Sequence, residues 1–504
     1  MSAKIAKHYY ILMSLKDLFH RHKEEEARKK FAVILIIVVF VIIVGIWFFN
    51  RGARDNATDT QSATSTVSTQ TSGNGEMVEL GVLSTLDTIQ KLAGFGAPKR
   101  YLVLFLNNAE LRAGGGFIGS YATLRVDNAR VSDLFIQGSE FVGRDAAAKA
   151  FPQAPTVLAA MMGTSRWYFR NANWSPDFPT SAHQAATLYA LQTGDTQPFD
   201  GVIGITPDIV TALLELTGPV TVQGIEFTPQ NVAEKIQYEV EQGYVARGLP
   251  AQERKYILRD VTQALLVKLG EDLVANLGNL LGAYHDLIVG GHVMIVSFDE
   301  ALQGELDTLG WSGRVMNPTG DYLSVVDSNI NSAKTDPAVK RSFMYNIHEV
   351  NGTWVADLTL DYTHERAPDW RTTAYKTYTR VYVPAGSELL NAQGWRAVQA
   401  GALADINKEE LGKTVFGGYF TVAPKSSRTV RLSYRLPASV GEAIAAGTYD
   451  LYVEKQLGAA GHTFNFRPVF NRPISSVEPA GTVEGAGYFQ TVSLDQDRTF
   501  HVAF

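Results

Sequence analysis

RYLVLFLNNAELRAGGGFIGSYATLRV, residues 100–126, sets the fold class. Its first seven residues are a short apolar run of the kind buried on both faces of a sheet. FIGSYATLRV (117–126) and ARVSDLFI (129–136) flank an Asp127-Asn128 pair, which predicts a hairpin. GVIGIT (201–206) and HVMIVS (292–297) read as two further buried strands. Helical spacing separates them, at 77–93, at 180–192 and from Pro207-Asp208 to Gly218-Pro219. Thr180 or Ser181 can cap the 180–192 helix, and Thr228-Pro229 gives an N-cap and an N1 proline for a helix at 229–244. Residues 251–288 look largely helical, and SFDEALQGELDTLG (297–310) is one more helix. Strands alternating with helices predict a three-layer, mixed-sheet α/β domain over 76–335.

After about residue 336 the helical rhythm fades. Short alternating strands take over, such as TWVADLTLDYTH, YKTYTRVYVP and RTVRLSYRLP. Turn residues divide them at short intervals, which predicts an all-β, immunoglobulin-like sandwich over 336–504.

The N-terminal end has a different character. Residues 31–49, FAVILIIVVFVIIVGIWFF, hold no charge. At about 1.5 Å per residue they reach roughly 28 Å, the thickness of a bilayer's hydrocarbon. Residues 1–30 carry eight Lys/Arg, so the positive-inside bias puts this basic tail in the cytoplasm and the bulk of the chain outside. No A-x-A-like cleavage site follows, so the segment reads as a single-pass signal anchor that stays. Ten of the 24 residues in 52–75 are Ser or Thr, and such a segment buries too little to fold. Residues 50–75 are therefore a tether of roughly 27 Å.

Composition narrows the function classes. The 504 residues contain no cysteine, which removes disulfides, thiolate metal sites and cysteine nucleophiles. A net charge of −6 does not favour nucleic acid as a partner. The phosphate-loop, zinc-helix, nucleophile-elbow and calcium-loop motifs are all missing. His183, His285 and His292 read as capping or surface residues.

Three stretches carry candidate chemistry. In NNAELRAGGGFIGS (107–120), Gly114, Gly115 and Gly116 allow backbone conformations closed to other residues. Their amides could converge on an anion, with the Arg112 fork beside them and Glu110 to orient it or bind a metal. The glycines could equally serve close packing. In RNANWSPDFPTSAHQA (170–185), two prolines frame Asp177, either a magnesium ligand or a loop residue bonding its own backbone. Asn173 lies in the same loop as a candidate ligand-binding residue. QERKYILRDVTQALLVKL (252–269) carries Arg254, Arg259 and Gln263, and Arg259 and Gln263 share a helix face. That face suits a diphosphate or is simply solvated.

NNAELRAGGGFIGSYATLRVDNARV, NWSPDFPTSAHQAATLY, DGVIGITPDIVTALLELTGPVTVQG and DYLSVVDSNINSAKTD resemble the bacterial family catalogued as domain of unknown function 4012, over roughly 98–335. A second stretch, DGVIGITPDIVTALLELTGPVTV, is similar to part of the LytR-CpsA-Psr phosphotransferases. Those enzymes move glycopolymers from polyprenyl-pyrophosphate carriers to the cell wall, with arginines and aspartates around a diphosphate and Mg2+. That resemblance implies phosphate-holding roles for Arg112, Arg254 and Arg259, and a metal-binding role for Asp177. This chain departs from the pattern in lacking the Pro-Arg-Asp strand end. Two functions are expected: an envelope enzyme that transfers phosphoglycan from a lipid-linked glycan to the cell wall, or a non-catalytic surface binding or adhesion protein.

Overall fold

The computed structural model describes residue 85 and residues 87–250, 256–271 and 273–504. The expected tail, anchor and tether lie outside these residues, as does most of the 77–93 helix, of which 87–92 are helical. Among the described residues no helix is long and apolar enough to cross a membrane.

The chain is mixed α/β, built on several sheets. The first holds β1 (Lys99–Asn107), β2 (Phe117–Asp127), β3 (Arg130–Gly138) and β4 (Gly201–Ile205). A small hairpin of β5 (Val220–Val222) and β6 (Ile225–Phe227) stands apart, and β7 (Val293–Ser297) completes the first sheet. The strand order is β3-β2-β1-β4-β7, and only β1 and β4 run parallel. The β2–β3 hairpin turns on Asn128 and Ala129, both at positive φ (46° and 59°). That geometry matches the strands' right-handed twist.

Alternation along β1 sorts two cores. Tyr101 and Val103 pack with Ile205, Ile295, Leu213, Ile257 and Val261. Leu102, Leu104 and Leu106 pack on the other face with Phe178, Ala182, Ala185 and Leu188. Helix Phe178–Thr193 therefore covers one face, while helices Asp208–Thr217 and Tyr256–Glu271 cover the other. Two expected helices change shape. The 251–288 stretch forms two described helices, Tyr256–Glu271 and Leu273–Val289. The 229–244 helix shortens to Val232–Tyr238, because the Asn231 side chain accepts from Thr228 N (3.0 Å) and holds the entry as a turn. A π-helical segment, Glu239–Gly243, then follows.

The C-terminal part consists of two seven-stranded sheets. Their strands are β8 (Asp321–Asn329), β9 (Val339–Val350), β10 (Thr353–His364), β11 (Tyr375–Pro384), β12 (Glu388–Gln393), β13 (Asp405–Glu410) and β14 (Lys413–Val422). β15 (Ser427–Arg435), β16 (Thr448–Glu454), β17 (Thr463–Phe466), β18 (Ser476–Glu478), β19 (Thr482–Glu484), β20 (Gly487–Ser493) and β21 (Arg498–Ala503) follow. The orders are β12-β15-β10-β9-β17-β20-β19 and β13-β14-β11-β8-β16-β21-β18. One core joins both sheets, drawing Phe343, Tyr345 and Leu358 from the first and Leu323, Val381 and Phe416 from the second. Each sheet contains one parallel pair, β9–β17 and β8–β16. β8 is already part of this architecture, ahead of the change in sequence pattern near residue 336.

Charge is buried here with its partners. Arg341 bonds Asp327 (2.8 Å) and Asp336, and its NH2 donates to the Tyr375 hydroxyl (2.8 Å). Asp327 also accepts from Tyr362 and Thr379. Elsewhere in the core, Asp321 accepts from Tyr345 (2.7 Å) and Tyr449 (2.6 Å), and burial pushes its carboxyl up to about 6.

The segment between helix Glu300–Thr308 and β8 ties the two parts together. Met316 N donates to Glu454 Oε2 (2.9 Å), and so does the Tyr322 hydroxyl (2.8 Å). Burial, then neighbouring Asp497, pushes the Glu454 carboxyl up to about 8, against the pull of these donors and Lys413. The folded chain thus holds a proton that the unfolded chain loses near pH 4.5. This contribution is complete below that pH and is lost as pH rises through about 8. Glu454→Gln is expected to flatten the decline of the thermal unfolding midpoint between pH 5 and 8. An unchanged slope would refute the assignment.

Candidate functional site

The glycine turn is packed against the C-terminal sheets. Gly115 and Gly116 sit at φ +101° and +149°. A Cβ on Gly116 would stand 2.7 Å from the Asn107 carbonyl carbon, so only glycine fits. Gly114 N donates to Asn173 O (3.2 Å) and Gly115 N to Arg112 O (3.1 Å). These two amides are spent within the chain rather than offered to an anion. Just past β16, Leu457 reaches three glycines of the α/β part. Cβ atoms added to Gly115, Gly291 and Gly313 would meet Leu457 atoms at 3.9, 2.8 and 3.2 Å. Gly458 N donates to Gly291 O (2.9 Å), and Gln456 Nε2 donates to Arg112 O (3.2 Å). The three glycines form a socket, and Leu457 fills it.

Arg112 lies under this contact at 7 % exposure. Among the described residues its NH1 donates only to Leu111 O (3.3 Å), and its Nε has no partner. The Phe117 ring centroid is 5.4 Å away. Burial lowers the guanidinium to about 10, with Glu110 opposing. Glu110 itself accepts from Asn107 Nδ2 (3.2 Å). The same Glu110 faces Lys334, whose ammonium burial pushes down. Lys334 is ion-paired to Glu241 in the π-helical segment, and its backbone N donates to Arg371 O (3.0 Å). Arg371 pairs with Glu234 and lies 5.9 Å from the Trp370 ring. Trp370 and Tyr238, 40 % and 42 % exposed, meet edge to face at 6.4 Å. A chain of charged and aromatic groups therefore runs from buried Arg112 to an open rim, all at the seam between the two parts. The sequence reading flagged Glu110 and Arg112 and missed Lys334, Glu241, Arg371, Trp370 and Tyr238. No local motif marks them, because they meet only through tertiary packing.

Asp177 is a structural residue. Its Oδ2 accepts from Thr180 N (3.0 Å) and Thr180 Oγ1 (2.6 Å), and its Oδ1 accepts from Val315 N (3.0 Å). Asp177 itself, rather than Thr180 or Ser181, is the N-cap of helix Phe178–Thr193. A magnesium ion would have to displace these donors, so the residue does not fit as a metal ligand. Among the described residues no group of three or more His, Asp or Glu could hold a metal ion. Asn173 is buried, and its Nδ2 donates to Gly116 O (2.6 Å). Asp177→Ala is expected to cost roughly 1–3 kcal/mol, because it removes a cap and orphans a buried N–H. Urea unfolding checks this, and a loss under about 0.5 kcal/mol would contradict it.

Arg254 lies outside the described residues. Arg259 and Gln263 are on helix Tyr256–Glu271, where Gln263 is exposed. That helix packs on the sheet face opposite the one that holds Phe178, next to Asp177. The sheet stands between that helix and helix Phe178–Thr193.

His183 stacks on Phe298, with centroids 4.4 Å apart. His292 Nδ1 contacts both Thr206 Oγ1 (3.0 Å) and Asp208 (3.3 Å). Burial would raise Asp208, but bonds from His292, Thr206 and Asn108 hold it at about 2. A hydroxyl–histidine–acid relay needs the hydroxyl and the acid on opposite ring nitrogens. Here they share one, and Asn108 goes on to bond Gly458 O (3.0 Å). The cluster pins the socket.

Residues 96–240 match the model of a family described as protein of unknown function (DUF4012). Over this segment the chain is similar to that family. The DUF4012 match takes in β1 to β4 and the glycine turn, while β7 completes the sheet from outside it. It lends no support to the LytR-CpsA-Psr resemblance. A search of curated proteins finds no match. Among solved structures, the chain is similar to a putative nutrient binding protein from Legionella pneumophila, at 9% identity and TM-score 0.23, over 37% of this chain and 71% of that one. It is also similar to the Lin1025 protein from Listeria innocua, at 13% identity and TM-score 0.24, over 46% and 86%. An M1 zinc metallopeptidase from Deinococcus radiodurans aligns at 12% identity and TM-score 0.19, over 34% of this chain and 43% of that one. The chain thus spans less than half of that peptidase, and likenesses this remote carry no argument about fold or function.

Proposed function

We propose that this chain is a membrane-anchored, extracytoplasmic envelope protein that binds a surface partner or glycan without catalysing its transfer. One observation carries the reading. The acid assigned to the metal is consumed as a helix cap and as the acceptor for Val315 N, and the helix bearing Arg259 packs on the far side of the sheet. Transfer of phosphoglycan needs these groups around one diphosphate. The anchor at 31–49 and the basic flank at 1–30 support a cytoplasmic N-terminus and an outer bulk. In this reading the two C-terminal sheets are an immunoglobulin-like interaction module, and the exposed Trp370–Tyr238 rim is a natural contact surface.

The test uses the full chain in its host cell. Asp177→Asn preserves a cap and removes the charge, and Arg259→Gln removes the cation. Both are expected to leave wall-linked polymer unchanged. Loss of that polymer in either strain would restore the transferase reading. External protease is expected to degrade the chain in intact cells. Protection from protease would overturn the extracytoplasmic placement.

A further inference from the structure

We propose that Arg112 anchors a buried site for a small oxyanion that also donates hydrogen bonds, of the hydrogen-phosphate kind. The observation is an uncompensated charge. A guanidinium offers five N–H donors and stays charged at neutral pH. Placed in a protein interior, it must meet an anion or leave donors orphaned at a cost of kilocalories each. Among the described residues Arg112 has one bond, to its own neighbour's carbonyl, and no carboxylate within ion-pair distance. The other deeply buried arginines of this chain differ. Arg341 is held by two aspartates, Arg371 by Glu234 and Arg380 by Glu410.

The surroundings narrow the ligand. Leu111 O accepts from both Arg112 NH1 and Asn329 N (2.9 Å), so Asn329 lies beside the guanidinium. Asn329 Oδ1 is buried with no donor, and so is Oδ1 of Asn173, which packs on the glycine turn two residues from Arg112. Orphaned acceptors next to an orphaned cation call for a ligand with both negative oxygens and a hydroxyl. Hydrogen phosphate has both, as does a phosphate monoester carrying alcohol groups. Sulfate at neutral pH has no proton to give. Lys334 adds a second cation on the side toward the rim, but it is paired with Glu241, and Glu110 faces both cations, so Arg112 is the cation left without an ion-pair partner among the described residues. The site lies beneath the socket, so filling it would brace the seam between the two parts. This inference stands on geometry separate from the non-catalytic reading and survives if that reading fails.

Thermal unfolding of the detergent-solubilised full chain tests it, in phosphate, glycerol phosphate, sulfate and chloride at matched ionic strength and pH 7. Phosphate is expected to raise the midpoint saturably, with sulfate weaker and chloride inert. A matching response to glycerol phosphate assigns the site to esters, and no response assigns it to the free ion. Arg112→Gln is expected to weaken phosphate binding roughly 10–100-fold, the loss of one or two charge-assisted bonds. Should that variant not fold, Asn329→Asp serves instead. It sets a carboxylate against Arg112, and is expected to raise the midpoint without ligand and abolish the phosphate response. Equal midpoints for the wild-type chain in phosphate and chloride would overturn the proposal. So would an Asn329→Asp chain that still responds to phosphate as the wild type does.

Discussion

Gly458→Ala is expected to destabilise the chain by roughly 2–5 kcal/mol, combining a left-handed conformation with forced overpacking. Gly458 sits at φ +69°, and a Cβ there would land on the Gly115 carbonyl. Neither partner can give way cheaply, because both are backbone. Gly115 is fixed by its own bond to Arg112 O, and Gly458 by its bond to Gly291 O. Urea unfolding checks the outcome, with a lower midpoint and an unchanged slope. Tryptophan signals from the two parts should shift together, since the contact joins them. A variant within 0.5 kcal/mol of wild type would mean that the seam adjusts freely and that the socket is not a rigid joint.

Arg341→Ala is expected to cost roughly 3–5 kcal/mol, the usual penalty for removing one partner from a buried ion network. Asp327 and Asp336 would be left charged inside the sheets with the cation gone. Burial already pushes the Asp336 carboxyl up, and Arg341 is what opposes it most. The double variant Arg341→Ala, Asp336→Asn is expected to lose less than the sum of the single losses, because the second change removes a charge that the first leaves unpaired. Strict additivity in that cycle would show the two side chains to be energetically independent.

The strands of the α/β part were legible because burial on both faces leaves an unbroken apolar run, as in RYLVLFL and GVIGIT. Alternation also marked nine of the fourteen C-terminal strands, while β8, β12, β13, β18 and β19 went unread. Neither signal says which strand lies beside which. The parallel pairs β8–β16 and β9–β17 join segments far apart in the chain, so their pairing is set by core packing that no local window contains. The same limit governs the site. NNAELRAGGGFIGS showed that backbone would be approached closely, and left open whether by an anion or by protein. The answer lay in Leu457 and Gly458, whose neighbourhood KQLGAA carries no motif. Asp177 was ambiguous for a similar reason. One of its bonds is a local cap that a pattern can suggest, and the other goes to Val315, which only the fold brings near.

The socket has a kinetic corollary. Gly115, Gly291 and Gly313 all leave the ribosome well before Leu457 is made. At roughly 5–20 residues per second, the empty seat waits on the order of ten seconds for its occupant. During that interval the nascent α/β part exposes Leu106 and Met294 at the mouth of the seat, two side chains that a collapsed neighbour could capture wrongly. A ribosome stall or premature stop between residues 320 and 450 should therefore yield a product that recruits holdase chaperones. A stop after the final strand should not.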